Sequence, residues 1–201
     1  FVVTPTYTNN GVSCDGPSET FTISVNPTAQ VNAIEDQDLC EGEVTAPIEF
    51  TTINTDGITT YEWTNTNPLI GLADSGIGNI PSFEVLNDAA NSQNAIITVT
   101  PTYTNNGVEC TGPSETLILT VNPGAQVNAV DNQILCNDEL TDPVQFTTLN
   151  TDGITEYNWT NTNTSIGLPA AGTGDIGSFS VVNTSTSMQS ATITVTPTYT
   201  N

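Results

Sequence analysis

The chain has 201 residues, of which 22 are Asp or Glu and none is Lys, Arg or His, giving a formal net charge of −22 at neutral pH. No carboxylate can find a side-chain cation, and the absence of any basic residue excludes electrostatic binding to nucleic acid or to anionic membrane surfaces. Charged residues make up only 11 % and hydrophobic ones 36 %, a composition that supports a packed core rather than a disordered acidic tail.

The elements follow in chain order as short β-type runs separated by Gly, Pro, Asn and Asp, with no helix signal. Residues 1–26 read as the last hairpin of a module whose earlier part lies upstream. Strands are then expected at Val31–Ile34, at Pro47–Thr52, and, after the turn Thr55-Asp56-Gly57, at Thr59–Thr64, where Tyr61 and Trp63 share a face. A further strand is expected at Ser82–Leu86. From Ile97 to Thr104 apolar residues alternate with threonine, and from Leu117 to Val121 the alternation returns. Asn105, Asn106 and Gly107 lie between these two runs as a hairpin turn. Pro101 cannot donate a ladder hydrogen bond, so it is expected at a bulge or an edge register.

These elements repeat. VTPTYTNNGV begins at Val3 and again at Val99, 99 − 3 = 96 positions on, and Cys14/Cys110, Cys40/Cys136, Trp63/Trp159 and Phe83/Phe179 keep that offset. The expected organisation is residues 1–26 as a terminal hairpin, 27–122 as a complete module and 123–201 as most of the next. About seven short strands per module with a Trp on the third predict an all-β protein of tandem immunoglobulin-like sandwiches, with Trp63, Trp159, Phe83 and Phe179 as core. No apolar run approaches the ~20 residues of a membrane span and no signal-peptide pattern opens the chain, so an interior piece of a longer polypeptide is expected.

The runs YEWTNTNPLIGL, SGIGNIPSF, ITVTPTYT and ETLILTVNP, with cysteines in DLCEGE and VECTGP, resemble the PKD-like repeats of giant surface adhesins from gliding bacteria. YNWTNTNTSIGL, GTGDIGSF and ATITVTPTYT carry the likeness through the second copy. The resemblance implies β-sandwiches strung in long arrays, export by the type IX route, and a role in adhesion, spacing or gliding. It implies no catalytic residues.

Without His or Lys, a two-carboxylate glycosidase is the one credible enzyme class. Asp36, Asp38, Glu41 and Glu43 cluster around Cys40, but their counterparts are Asn132, Ile134, Asn137 and Glu139. A duplicated active site should keep its chemistry, so no enzyme is expected. The same cluster is a candidate calcium site, weighed against a solvated acidic loop, which the loss of three ligands favours. Asp56 and Asp152 sit in identical Thr-Asp-Gly turns, ordinary turn chemistry. No cofactor is therefore expected, with calcium as the alternative.

Four cysteines in an exported protein suggest disulfides, and zinc is disfavoured without histidine. Three arrangements compete: Cys40 with Cys110; Cys14 with Cys40, repeated as Cys110 with Cys136; and staples between modules. In an immunoglobulin-like sandwich the first loop and the last hairpin lie at opposite ends, too far for bridged Cα atoms. The expectation is therefore that Cys110 pairs with a cysteine before residue 1 and Cys40 with one beyond residue 201, while closure of Cys40 on Cys110 stays open should the topology differ. The partners expected are neighbouring copies of the module end to end, with lateral self-association as a further option and no membrane insertion. The whole reads as an extracellular or cell-surface stalk of rigid spacers; a carbohydrate- or protein-binding repeat and a calcium-dependent adhesive repeat are the alternatives.

Overall fold

The computed structural model describes residues 1–201. Its strands are short because turn residues interrupt every β-prone run: β1 (Val2–Val3), β2 (Thr6–Asn9), β3 (Val12–Asp15), β4 (Glu19–Thr20), β5 (Gln37–Cys40), β6 (Ile58–Asn65), β7 (Ser75–Ile77), β8 (Gln93–Asn105), β9 (Val108–Thr111), β10 (Glu115–Asn122), β11 (Ile154–Asn161), β12 (Ala171–Thr173) and β13 (Ile193–Thr200). The protein is almost entirely β, and no helix is long and apolar enough to cross a membrane.

Within residues 27–122 one sheet runs in the order β5-β10-β8-β6-β7, with β9 also on β8. Its centre is β8, whose period-2 pattern puts Ala95, Ile97 and Val99 on the inner face at 0 % exposure. The Asn106-Gly107 turn has φ of 51° and 76°, the paired positive values that a two-residue hairpin loop needs and that Asn and Gly tolerate best. The chain after the turn is two strands rather than one. β9 pairs with the end of β8, then Gly112 and Pro113 break the ladder, and β10 pairs with the beginning of β8.

That break corrects the expectation for Pro101, which lies in the middle of the central strand opposite Tyr61 with no bulge. On its other side β10 stops at Glu115 opposite Val99 and β9 resumes at Thr111 opposite Thr102. The missing N–H falls in this gap, while the Pro101 carbonyl accepts from the Gly112 N–H at 3.0 Å.

The second layer is looser than expected. Val31–Ile34, Pro47–Thr52 and Ser82–Leu86 run extended without forming continuous strands, joined by isolated bridges Val44–Glu84 and Ile48–Ile80. Pro47 and Pro81 remove donors beside that second bridge. Side chains make up the difference: the Phe50 N–H donates to Asn79 Oδ1 at 2.9 Å and the Phe83 N–H to Thr45 Oγ1 at 3.1 Å. Between the layers Ile48, Phe50, Ile80 and Val85 meet Trp63, Ile97, Val99, Leu117 and Leu119 in one core. Two single-turn 3₁₀ helices, Pro68–Ile70 and Thr164–Ile166, stand where no helix was expected. Asn67 and Asn163 cap them, and their side chains accept from Leu69 and Ser165 N–H groups.

Residues 123–201 form a sheet in the order β12-β11-β13, with Tyr157 opposite Pro197 as Tyr61 is opposite Pro101. Ile193 and Val195 of β13 are half-buried, whereas Ile97 and Val99, covered by β10, are sealed. Gln133–Cys136 is not a strand, whereas β5 is held by its parallel pairing with β10. Residues 1–26 form two small two-stranded sheets, the hairpin β2-β3 and the outer pair β1-β4 that encloses it, and leave Phe21, Ile23 and Val25 exposed.

Candidate functional site

The expected core residues fall into two groups. Trp63 and Trp159 are each 7 % exposed, and each lies across from a glycine, Gly76 or Gly172. A Cβ at Gly76 would collide with Trp63 Cζ2, so the indole lies flat over backbone that only glycine leaves free. Trp159 Nε1 donates to the Gly174 carbonyl at 3.1 Å, whereas Trp63 Nε1 is buried without a partner. Phe83 and Phe179 are half-buried against the cores rather than central to them. The inner place belongs to Val85, two residues along the same face, at 0 % exposure.

The acidic loop does not converge. Asp36 Oδ1 accepts from the Ile118 N–H at 2.7 Å, Asp38 Oδ1 from Asn122 Nδ2 at 2.7 Å, and Glu43 Oε2 from the Cys40 N–H at 2.8 Å. No three carboxylate or thiol side chains gather as ligands for a metal ion. The one residue kept in the second copy, Glu139, repeats the Glu43 role by accepting from the Cys136 N–H at 2.6 Å. Its persistence therefore follows from closing the turn after cysteine.

All four cysteines are free thiols, Cys110 half-buried and Cys14, Cys40 and Cys136 exposed. Cys40 is paired with Asn122 at one end of the sheet, and Cys110 is paired with Tyr103 beside the hairpin at the other. Between those ends β8 runs from Gln93, opposite Val121, to Tyr103, about 30 Å at 3.3 Å per residue. Cys40 and Cys110 thus lie well beyond the ~7 Å that a disulfide spans.

Cys40 lies at the meeting of residues 27–122 with 123–201, where polar groups interlock. The Ser92 N–H donates to Asp152 Oδ2 at 2.8 Å and the Tyr199 hydroxyl to Asp152 Oδ1 at 2.8 Å. Ser92 Oγ donates to Asn122 Oδ1 at 2.7 Å, Asn201 Nδ2 to Ser92 Oγ at 2.9 Å, and the Thr151 N–H to the Ala90 carbonyl at 2.8 Å. The chain crosses between the two on Asn122-Pro123-Gly124 alone. At the other end of residues 27–122, Asn26, the counterpart of Asn122, donates through Nδ2 to the Asn105 carbonyl at 3.1 Å. This network was not foreseen. The signal was present in TPTYTN and Asn-Pro, identical in both copies at positions that strand propensity does not require.

The network sets the local electrostatics. Hydrogen bonding, first from the Ser92 N–H, holds Asp152 below the usual aspartate range. Desolvation, together with the Asp152 and Cys40 charges, raises the Tyr199 hydroxyl. The Cys40 thiol is pushed up, first by partial desolvation and then by the Glu43 and Asp38 carboxylates, so it stays protonated at neutral pH and oxidises slowly unassisted. Because the folded value of Asp152 is depressed, its contribution is fully present above the ordinary aspartate value and is lost as pH falls through the folded one. Asp152→Asn is expected to lower the melting temperature at pH 7, the gap from wild type closing on acidification below pH ~4. A gap independent of pH would show that the carboxylate charge is not what Ser92 and Tyr199 hold.

No family model matches the chain, and no curated protein matches it.

Proposed function

We propose that the chain is a segment of a structural stalk or filament, part of a secreted, cell-surface repeat adhesin of the PKD-like kind, whose modules act as rigid spacers. The observation that carries this reading is the hydrogen-bond network in which Asp152, Tyr199 and Asn201 reach Ser92 and Asn122. Interlocking ends with a three-residue crossover resist bending, which is the property a spacer needs. The sheet order β5-β10-β8-β6-β7, with β5 parallel to β10 and Trp63 on β6, supports an immunoglobulin-like sandwich as the module. A surface with many carboxylates and no cation suits a chain that must stay extended and soluble outside the cell.

Small-angle scattering and electron microscopy of the chain test the reading. A regular rod rising about 35–45 Å per repeat is expected from strands near 3.3 Å per residue plus loops. A Trp63 to Trp159 separation below about 25 Å would replace it with side-by-side packing.

A further inference from the structure

The segment Asn-Thr-Asp-Gly-Ile-Thr occurs twice without a change, at 54–59 and at 150–155. Both copies are anchored alike. Asn54 Oδ1 accepts from Thr52 Oγ1 at 2.9 Å and from the Gln30 N–H at 2.8 Å; Asn150 Oδ1 accepts from Thr148 Oγ1 at 2.8 Å and from the Gln126 N–H at 3.1 Å. On the other side Ile58 lies opposite Thr104 and Ile154 opposite Thr200, in the same register. Between these anchors the backbone differs. In the first copy Asp56 is left-handed, at φ 66°, and Gly57 is not; in the second Gly153 is left-handed, at φ 63°, and Asp152 is not. One sequence with one pair of anchors thus holds two turn conformations, and nothing local decides between them.

The hydrogen bonds follow the backbone. In the first conformation the Tyr103 hydroxyl donates to the Thr55 carbonyl at 2.7 Å, and Asp56 Oδ2 accepts from the adjacent Thr55 Oγ1 at 3.3 Å. In the second the Tyr199 hydroxyl donates instead to Asp152 Oδ1 at 2.8 Å, while the Ser92 N–H donates to Asp152 Oδ2 and the Thr151 N–H to the Ala90 carbonyl, both at 2.8 Å. Ala90 and Ser92 belong to residues 27–122, so the second conformation includes the contact between the two bodies. Either conformation gives the tyrosine hydroxyl the acceptor that a desolvated phenol needs. They differ in strain, because left-handed backbone suits glycine and is only tolerated by aspartate.

We propose that the Thr-Asp-Gly turn at 151–153 is a two-state latch, which keeps Gly153 left-handed while Ala90 and Ser92 are seated on it and takes the Asp56 conformation when that contact opens. Ala90 and Ser92 bond one conformation and not the other, and this differential contact is what an opening must overcome. Because the Tyr199 hydroxyl exchanges one acceptor for another, the bodies part in one step to a defined released form rather than by gradual bending. The coupling is reciprocal, so a turn fixed in the released form also loosens the contact. This goes beyond the spacer reading, since it concerns how the junction opens and holds or fails whatever the whole molecule does.

Nuclear magnetic resonance of the full chain tests the latch. Shifts and three-bond couplings report φ in the two turns, and residual dipolar couplings report whether the two bodies orient together. In the wild type the Asp56-Gly57 and Asp152-Gly153 pairs are expected to give two different sets of values. Asp152→Asn is expected to move Gly153 onto the values of Gly57, because asparagine takes positive φ readily and brings no carboxylate to the Ser92 N–H. The same variant should speed hydrogen exchange at the Ser92 and Thr151 amides and release the bodies into independent alignment. Asp56→Asn, the matching change in the first copy, should leave that alignment unmoved. Ser92→Pro, which removes the donor from the other side, should produce the same turn and the same release; should it not fold, the two asparagine variants decide alone. The proposal is overturned if the two turns give one set of values in the wild type, if a variant changes the turn without the alignment or the alignment without the turn, or if Asp152→Asn moves neither.

Discussion

Replacing Trp63 by Ala is expected to cost residues 27–122 about 3–5 kcal/mol, as large-to-small changes at buried aromatic sites do. The ring fills space between β6 and β7 that no neighbour can reoccupy, since Gly76 beneath it has no side chain and the surrounding Phe50, Ile70 and Ile80 are themselves fully packed. Part of the loss is offset, because the variant no longer buries an indole N–H without a partner. Chemical denaturation followed by the remaining Trp159 and by far-UV signals separates the two bodies. The transition of residues 27–122 should shift while that of 123–201 holds, as distant sites add independently. A near-neutral outcome would place the ring outside the stabilising core and return it to consideration as a ligand-binding aromatic.

Leu119→Ala should lose about 2–5 kcal/mol, because the side chain is fully buried between the layers. Ile23→Ala, the same position one repeat earlier, should change stability by no more than about 0.5 kcal/mol where the chain is monomeric, since Ile23 is 62 % exposed. The pair separates sequence from context: both sit on alternating strands of one motif, and they differ in whether a sheet lies behind them. Equal costs would mean that residues 1–26 are packed against something that seals Ile23.

Much of the architecture was legible before any coordinates. Alternation in Ile97–Tyr103 and Leu117–Val121, the Asn106-Gly107 turn and the strand carrying Trp63 all rest on local chemistry: period-2 burial, tolerance of positive φ, β-branched preference. Such signals read well because each is contained within a few residues. The opposed placement of Cys40 and Cys110 was legible too, since it follows from strand length and connection order.

Contacts between distant segments decided the rest. Gln37–Cys40 is a strand and Gln133–Cys136 is not, although the cysteine turn is shared, because the backbone partner of the first lies in β10 some 80 residues away. Pro101 fits a central strand because the neighbouring strand breaks beside it, a fact written at Gly112 and Pro113 rather than at the proline. Asp152, read as a turn residue, becomes a junction acceptor only when Ser92 and Tyr199 arrive from two other elements. By itself the sequence determined the period, the charge, the Asn106-Gly107 turn and the alternating strands of the Trp63 sheet, all set by local propensity and composition. Only the tertiary structure decided which edges are paired, which carboxylates have donors and where the cysteines stand, because those depend on backbone hydrogen bonds and burial supplied by residues far away along the chain.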